Sequence, residues 1–267
     1  MPELPEVQTV LDGLAATIAN KSITGIECYY PGTHISKSDL PDSCFPAKVT
    51  TFIRRGKYMI LELNTGCTII IHLRMTGKLV YSPISVIPHI HERARILLEN
   101  DEIVQFIDPR TFGKITLQKS ADLSTCLPKL GAEPLSNDFN TIYLRKATTN
   151  RTIPIKTLLL DQSVIAGLGN IYVCEILYRA HIKPSTPSKS ISSISNKAIV
   201  KHTKEVLAEA LAVGGTSISD YRRIDDKTGE FQNFLQVYHK PTCPKGHQIE
   251  NIKLGGRSSF YCPICQK

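Results

Sequence analysis

The chain has 267 residues and a formal net charge of +8 at pH 7, with a pI of about 9.0. This length accommodates two domains, each with its own hydrophobic core. The basic balance suits a polyanionic partner, either nucleic acid or an anionic membrane surface, and a solvated basic face is the alternative. No stretch approaches the roughly 18 apolar residues of a transmembrane helix, and no secretory signal is visible. These features predict a cytoplasmic protein.

The first half of the sequence has β-structure patterns that follow one helix. The segment "EVQTVLDGLAATI" places its apolar side chains on one helical face, so the start "MPELP" leads directly into an amphipathic helix. Farther on, "KYMILEL" and "CTIIIHL" surround "NTG", and "ARILLE" and "IVQFID" surround "ND". Each pair of apolar runs around turn residues predicts a β-hairpin.

From about Pro134 the sequence is typical of helices. The stretch "PIKTLLLDQSVIAGLGNIYVCEILYRA" contains two apolar helical segments separated by "AGLGN", where Asn170 is predicted as a helix N-cap. Ser185–Ser195 predicts a loop, and "NKAIVKHTKEVLAEALAVGG" predicts a helix that ends at glycines. After Tyr238 a short cysteine-bearing segment has hairpin character. Strands followed by helices predict an α+β protein with a boundary near residues 131–150.

The first residues could carry a nucleophile. Removal of Met1 is expected because Pro2 is small, and Pro2 would then carry a free secondary amine. An α-amino group has a pKa of about 7.7–8.0, so a useful fraction is unprotonated at neutral pH. Such an amine can attack a sugar C1′ carbon and form a covalent iminium, with Glu3 beside it as a general acid or base. The alternative is an unstructured start without chemistry.

Eight cysteines divide into two groups. Five are scattered singly and are predicted to be small, reduced hydrophobic residues: Cys28, Cys44, Cys67, Cys126 and Cys174. The other three crowd the end of the chain, where Cys262 and Cys265 have the two-residue spacing of a zinc half-site.

Motifs along nearly the whole chain resemble the formamidopyrimidine-DNA glycosylase family. In chain order they are "PELPEV", "RRGKY" (54–58), "HLRMTG" (72–77), "DPRTFG" (108–113), "GAEPL" (131–135), "AGLGNIYVCE" (166–175), "GGTSISDY" (214–221), "FLQVYHK" (234–240) and "GGRSSFYC" (255–262). The resemblance implies a bifunctional DNA glycosylase and abasic-site lyase of base excision repair. It would remove oxidised purines from damaged double-stranded DNA and cut the strand by β,δ-elimination, as a monomer at the bacterial nucleoid.

The resemblance also implies an architecture. An N-terminal catalytic β-sandwich domain with flanking helices would cover residues 1–130, followed by a linker at 131–150. A helix–two-turn–helix DNA-binding domain would cover 151–233, and a zinc-finger β-hairpin would cover 234–267. The loop Ser217–Gln232 would cap the extruded base.

Site residues follow from the same resemblance. The catalytic residues would be Pro2, Glu3, Lys57 and Arg257. Contacts with DNA would come from His72, Met75, His91, Arg110, Phe112, Arg151, Lys156, Asn170 and Tyr238. Met75, Arg110 and Phe112 would fill the space that the extruded nucleotide leaves. At two positions the chain departs from the family pattern: Arg93 stands where a second histidine is common, and Thr111 stands where Arg or Lys is usual.

The zinc finger departs further. Cys243 is present, but Gly246 stands where the family has its second cysteine, and His247 follows one residue later. We predict one structural zinc ion held by Cys243, His247, Cys262 and Cys265, with a metal-free finger held by packing as the alternative.

Two other functions remain open from the sequence. An enzyme similar to endonuclease VIII would prefer oxidised pyrimidines, although Leu4 and the Met75, Arg110 and Phe112 trio disfavour that branch. A non-catalytic DNA-binding protein on the same scaffold would have no need of Pro2, Glu3 and Lys57.

Overall fold

The computed structural model describes residues 1–36, 43–122, 127–216 and 229–267. Two compact units divide the chain. The first unit comprises Met1–Pro128 and Gly214–Glu230, and the second comprises Lys129–Val213 and Phe231–Lys267. The region predicted as a linker, 131–150, lies in the second unit and includes a helix.

Within its described residues, the first unit contains one α-helix and nine strands. Helix α1 spans Leu4–Ile18, and the strands are β1 Ser22–Cys28, β2 His34–Ser36, β3 Ala47–Arg55, β4 Tyr58–Leu63, β5 Cys67–His72, β6 Lys78–Pro83, β7 Glu92–Leu98, β8 Glu102–Ile107 and β9 Lys114–Lys119. They are hydrogen-bonded in the order β2-β9-β5-β4-β3-β1-β7-β8-β6, and the short β1–β3 pairing joins the two halves. Both predicted hairpins, β4–β5 and β7–β8, are confirmed as antiparallel pairs.

One hydrophobic core serves both halves of this sheet and α1. Helix residues such as Leu11 and Leu14 are buried in the same cluster as Ile69 of β5 and Ile96 of β7. The helical periodicity of α1 and the apolar runs of the strands therefore point to the same interior. This packing fixes the N-terminal end of α1, which carries the predicted nucleophile.

The second unit is helical and ends in a β-hairpin. Its helices are α2 Thr141–Thr148, α3 Ile155–Leu160, α4 Asn170–Arg179 and α5 Ser193–Ala212, and its strands are β10 Glu250–Leu254 and β11 Arg257–Tyr261. The two helices around "AGLGN", the long helix after the serine-rich loop and the terminal hairpin confirm the predictions for this half. The predicted fold class is confirmed.

Two local predictions were wrong. Cys44 and Cys67, which were expected to be separate reduced thiols, form a disulfide with a Cα–Cα distance of 5.8 Å, because the fold brings the start of β5 beside the residues before β3. The N-cap of α4 is Gly169, and Asn170 is the first helical residue. Among the described residues, no helix combines the length and the apolar character that crossing a bilayer requires.

Candidate functional site

The start of α1 is buried and internally hydrogen-bonded. Pro2 is buried, and Glu3 is the helix N-cap with only 3 % of its surface exposed. Glu3 and Glu6 form a capping box, in which the Glu3 backbone N–H donates to Glu6 Oε2 at 2.8 Å. The second Pro-Glu pair of the sequence therefore has a structural role, since Glu6 holds the backbone beside Pro2.

Glu6 also reaches a distant part of the chain. Its Oε1 accepts a hydrogen bond of 2.7 Å from the backbone N–H of Thr216. Gly215 lies so close that a Cβ there would be 2.7 Å from Glu6 Oε1, and its φ of +82° favours glycine. Glu6 was not among the predicted site residues, although its spacing of three from Glu3 is the local signal of a capping box.

Lys57 lies in the turn between β3 and β4 and is largely buried. The turn is tied to α1, because Arg54 donates through Nε to the Gln8 side chain at 2.9 Å and through a guanidinium nitrogen to the Gly56 carbonyl at 3.1 Å. The turn that carries Lys57 is thus tied to α1, the helix that begins beside Pro2.

His72, at the end of β5, is a neutral imidazole close to two cationic side chains, Arg74 and Lys57. Burial and the positive charges of Arg74 and Lys57 lower its pKa to about 3. Its Nδ1 accepts a 3.0 Å hydrogen bond from the Arg74 backbone N–H, so the proton of the neutral ring lies on Nε2. The ring packs edge-on to Tyr58, 4.4 Å between centroids. His72 can therefore donate one hydrogen bond to an anion without carrying charge.

Met75, Arg110 and Phe112 are exposed on two loops of the first unit. Met75 has 41 % of its surface exposed and Phe112 has 49 %. The Arg110 guanidinium lies 5.0 Å from the centroid of the Phe112 ring, a cation–π contact. These loops present an apolar wedge and a stacked arginine to the solvent.

His91 lies at the entrance to β7, where the side chains of His89 and Arg93 contact it. Arg93, the residue that replaces a family histidine, contacts His91 Nδ1 at 3.1 Å and donates to the Asp108 carbonyl at 2.9 Å. His89 accepts from the His91 backbone N–H at 3.0 Å, and the two rings lie 5.6 Å apart. His89 was missed by the sequence analysis, although the pattern His-x-His places both rings on the same side of an extended chain.

In the second unit, Lys156 and Asn170 support the hairpin that carries Arg257. Arg257 is exposed at the start of β11. Lys156 is fully buried, and its ammonium donates to the Ser258 carbonyl and the Ser259 hydroxyl, each at 2.7 Å. The Asn170 side-chain amide donates to the same Ser258 carbonyl at 3.0 Å. The ammonium of Lys156 therefore faces the hairpin.

The turn "AGLGN" is shaped by one glutamine. Gln162 accepts from the Gly167 backbone N–H at 2.9 Å and donates to the Leu160 and Leu168 carbonyls. Gly167 has a φ of +88°, which few other residues adopt. Helix α4 begins directly after this turn, with Gly169 as its N-cap. Arg151, in the segment after α2, is exposed.

Tyr238 is half-buried and is held from both sides. Its ring packs against Phe260, 5.1 Å between centroids, and its backbone N–H donates to Glu175 at 2.8 Å. Glu175 is fully buried and also accepts from the N–H groups of Gln236 and Val237. Burial raises the pKa of Glu175, an effect that these three N–H donors oppose. Glu175, within the "VCE" motif, fixes the segment between α5 and the hairpin.

The four predicted metal ligands lie together. One donor atom of each of Cys243, His247, Cys262 and Cys265 lies within 4.8 Å of the others. Gly246 has a φ of +81° with open space around it, so the extra residue forms a left-handed turn that brings His247 to the cluster. His247 Nδ1 is 3.3 Å from Cys265 Sγ and 3.6 Å from Cys243 Sγ.

The chemistry of this cluster fits a metal ion. Burial opposes ionisation of Cys243, but the backbone N–H groups of Lys245 and His247 lower its pKa to about 6. Three thiols and one imidazole form a donor set of the Cys3His type, which tetrahedral structural sites use. The group could therefore hold a metal ion, as the sequence predicted. The predicted capping loop, Ser217–Gln232, lies mostly outside the described residues, which do not include 217–228.

Comparisons with known proteins agree over the whole chain. The family described as "Formamidopyrimidine-DNA glycosylase N-terminal domain" matches residues 1–115, and the family described as "Formamidopyrimidine-DNA glycosylase H2TH domain" matches residues 130–222. Formamidopyrimidine-DNA glycosylases of Roseobacter denitrificans and Pelotomaculum thermopropionicum are 38 % and 39 % identical to this chain. Each alignment covers 100 % of the chain, and 100 % and 99 % of the respective relative.

Three solved complexes of the Lactococcus lactis enzyme align with similar quality, each covering 100 % of both chains. A mutant enzyme with DNA containing Fapy-dG has a TM-score of 0.93 and 34 % identity. The wild-type enzyme with DNA containing an oxidised pyrimidine has a TM-score of 0.91 and 33 % identity. A mutant designated by a change of cysteine to Gly-His, with DNA containing THF, has a TM-score of 0.92 and 34 % identity.

The fold and the matched domains define a DNA glycosylase of the helix–two-turn–helix class. More particularly, the chain belongs to the formamidopyrimidine-DNA glycosylase family.

Proposed function

We propose that this chain excises oxidised purines, 8-oxoguanine and formamidopyrimidines, from double-stranded DNA and then cuts the strand at the resulting abasic site. The observation that carries the proposal is the full-length match to glycosylases of this name, together with Pro2 and Glu3 at the buried start of α1. The net charge of +8 supports binding to a polyanion.

Pro2 would act as the nucleophile once Met1 is removed. Its nitrogen forms a bond to C1′ of the damaged nucleotide, and the bond from C1′ to the base breaks, with a proton delivered to the sugar ring or the base. Loss of the amine proton and opening of the ring give an iminium with a fixed positive charge. This charge draws electrons from the C2′–H bond, so the 3′ phosphate leaves, and a second elimination releases the 5′ phosphate.

Glu3 and Lys57 would serve these proton transfers. Glu3 adjoins Pro2 in the chain and is held at the helix N-cap, which supports a role as the proton carrier. Lys57, in the turn tied to α1 through Arg54, would bind the phosphate beside the lesion and assist its departure. Arg257 would bind phosphates around the extruded nucleotide and assist the second elimination.

The remaining predicted residues would hold the kinked duplex. Exposed Met75 would wedge into the stack and Arg110 would read the orphaned base with Phe112 stacked beside it, offsetting the few kcal/mol of unstacking. Further phosphate or sugar contacts would come from His72, His91, Arg151, Asn170 and Tyr238, and Lys156 would act through the hairpin to which its ammonium donates. The helical segment 151–233 would grip the strand that carries the damage, and 234–267 would form the finger.

We further propose that Cys243, His247, Cys262 and Cys265 bind one structural zinc ion. The donor set and its close packing support zinc, which prefers four tetrahedral sulfur and nitrogen ligands. The designation of one Lactococcus lactis mutant indicates that Gly-His replaces a cysteine, and this change parallels Gly246-His247 in the present chain. The ion would supply no chemistry to the reaction and would fix the base of the hairpin.

Borohydride trapping tests the nucleophile. The parent protein and a Pro2→Gly variant are incubated with a duplex that contains 8-oxoguanine opposite cytosine, and sodium borohydride is added. We expect a covalent complex with the parent, and mass spectrometry should place the sugar on Pro2. A Pro2→Gly variant that traps equally well, or a sugar attached to a lysine, would refute the proposal. Glu27→Gln, on an exposed side chain of β1, is the matched control and should trap like the parent.

A second substrate class has a specific observation in its favour. The Lactococcus lactis relative has been solved with DNA containing an oxidised pyrimidine. A panel of duplexes with 8-oxoguanine, a formamidopyrimidine or an oxidised pyrimidine therefore belongs in the incision assay. Faster cleavage of the purine lesions supports our proposal, and faster cleavage of the pyrimidine lesion supports a preference like that of endonuclease VIII. Binding without cleavage of any duplex would indicate a non-catalytic protein.

A further inference from the structure

A buried carboxylate joins three of the loops that carry predicted DNA contacts. Asp108, directly after β8, is fully buried. Its backbone N–H donates to the His91 carbonyl at 2.9 Å, and its carbonyl accepts from Arg93 at 2.9 Å. The backbone of Asp108 therefore holds the His91 segment.

The Asp108 carboxylate organises the loop that follows it. Its Oδ1 accepts from the Arg110 backbone N–H at 3.2 Å, and its Oδ2 accepts from the Gly113 backbone N–H at 2.7 Å. Thr111, between them, has a φ of +59°, a conformation that costs free energy for a β-branched residue unless the surroundings hold it. The two hydrogen bonds close this turn and direct Arg110 and Phe112 outward.

The same carboxylate reaches the other loop through one hydroxyl. Thr76 Oγ1 donates to Asp108 Oδ1, and Thr76 directly follows Met75. The neighbouring Gly77 N–H donates to the Leu73 carbonyl at 3.0 Å, which closes the turn around Met75. A Cβ at Gly77 would lie 2.5 Å from that carbonyl oxygen, so the turn is tight. Thr76 is thus the side-chain link between the Met75 loop and the Arg110–Phe112 loop.

We propose that Asp108 and Thr76 are positioning residues, which set the Met75 loop and the Arg110–Phe112 loop in one arrangement and thereby determine how strongly the protein distinguishes the base opposite the lesion. This inference rests on the proposed function, since it assumes that Arg110 reads the orphaned base. If Met75 and Arg110 lay on independent loops, each loop could adapt to the duplex separately. A shared buried carboxylate makes their separation fixed, so an ill-fitting opposite base is disfavoured by both.

The test uses Thr76→Val, which keeps the shape of the side chain and removes only the hydroxyl. Thr76→Ser restores the hydroxyl. Thr17→Val is the matched control, because Thr17 is a half-buried threonine of the same unit whose hydroxyl donates to the Gly13 carbonyl within α1. Asp108→Asn is a second variant, since an amide would place an NH2 group opposite one of the donors.

Two readouts separate this inference from the proposed function. One is the ratio of dissociation constants for duplexes with a non-cleavable tetrahydrofuran site opposite cytosine or opposite adenine, and the other is the single-turnover excision rate of 8-oxoguanine opposite each base. Loss of stability alone lowers binding to both duplexes equally and leaves the ratio unchanged. A parent protein that excises no 8-oxoguanine would contradict the proposed function. The ratio of the dissociation constants would still test how the two loops are arranged.

We expect Thr76→Val to reduce the ratio of the dissociation constant opposite adenine to that opposite cytosine by roughly tenfold, the lower end of the effect of one hydrogen bond to a charged group. Thr76→Ser and Thr17→Val should keep the parent's ratio, and Asp108→Asn should reduce it at least as much as Thr76→Val if the variant folds. A parent that binds both duplexes equally, or a Thr76→Val variant with the parent's ratio, would overturn the inference.

Discussion

The buried ammonium of Lys156 donates to the main-chain carbonyl of Ser258 at 2.7 Å, one residue beyond Arg257. An ammonium with no exposed surface is costly unless its donors are satisfied, and Ser259 Oγ supplies a second acceptor at 2.7 Å. Both acceptors belong to β11, so the Lys156 ammonium stabilises the strand that presents Arg257. We therefore expect this lysine, which the sequence predicted to contact DNA, to influence the reaction through the hairpin.

Replacement of Lys156 by methionine should loosen the Arg257 hairpin. Methionine fills similar space without donors, and Asn170 would keep its bond of 3.0 Å to the Ser258 carbonyl. We expect the second elimination to slow by roughly tenfold, because one charged hydrogen bond contributes about 1.5 kcal/mol. Gel separation of the β and the β,δ products over time measures this change.

A double-mutant cycle supplies the control for Lys156. Arg257→Ala should slow the same step, and the combination of Arg257→Ala with Lys156→Met should be no slower than Arg257→Ala alone, because both act through one side chain. Additive effects of the two substitutions would show that Lys156 acts independently of the hairpin.

Removal of the His247 imidazole should release the metal ion. A site with four ligands binds about one zinc ion per chain. With three thiolates left, His247→Ala should bind much less zinc than this, and His247→Cys should still bind the ion. Atomic emission of the purified proteins measures zinc. His202→Ala, which removes a histidine paired with Glu205 on α5, is the control and should keep the parent's zinc. Unchanged zinc in His247→Ala would refute the assignment of this ligand.

The local features of the fold could be predicted from the sequence because their signals lie within a few residues. The turn "NTG" between apolar runs specifies the β4–β5 hairpin, and the apolar period of α1 specifies its buried face. The cluster of the four candidate metal ligands was also predictable, since their spacing limits which side chains can converge. Gly246 before His247 even supplies the turn that the extra residue needs.

The contacts that join distant segments could not be predicted. The bond from Thr216 to Glu6 spans 210 residues, and the bond from Thr76 to Asp108 spans 32, with no local pattern for either. The Cys44–Cys67 disulfide likewise depends on how β3 and β5 are placed. The burial of Lys156 could not be predicted either, because a lysine beside an apolar run is usually exposed. Here tertiary packing supplies the acceptors for its ammonium.

The low pKa of His72 should make the first unit less stable in acid. The pKa is about 3 in the folded chain and 6.5 as the ordinary value, so between these limits the unfolded chain binds a proton that the folded chain does not. The stabilisation is complete above about pH 6.5 and is lost as the pH falls toward 3. From pH 7.5 to pH 5 the loss is about 2 kcal/mol.

The pH dependence of the urea midpoint measures this effect. His72→Gln has no group that titrates at this position, so its midpoint should fall less between pH 7.5 and pH 5 than the parent's midpoint does. The comparison at pH 7.5 isolates the packing change caused by the substitution. An equal fall for the parent and His72→Gln would show that the buried imidazole is not the source of acid sensitivity.

The Cys44–Cys67 disulfide should stabilise the first unit in non-reducing buffer. It closes a loop of 23 residues across β3 and β4, which in the chain-entropy account contributes about 3 kcal/mol. We expect six of the eight cysteines to react with a thiol reagent in denaturant, and reductant to lower the denaturation midpoint. The double variant Cys44→Ser and Cys67→Ser should be insensitive to reductant, whereas Cys28→Ser, at an exposed free thiol, should respond like the parent. Eight reactive thiols without reductant would show that the pair is reduced.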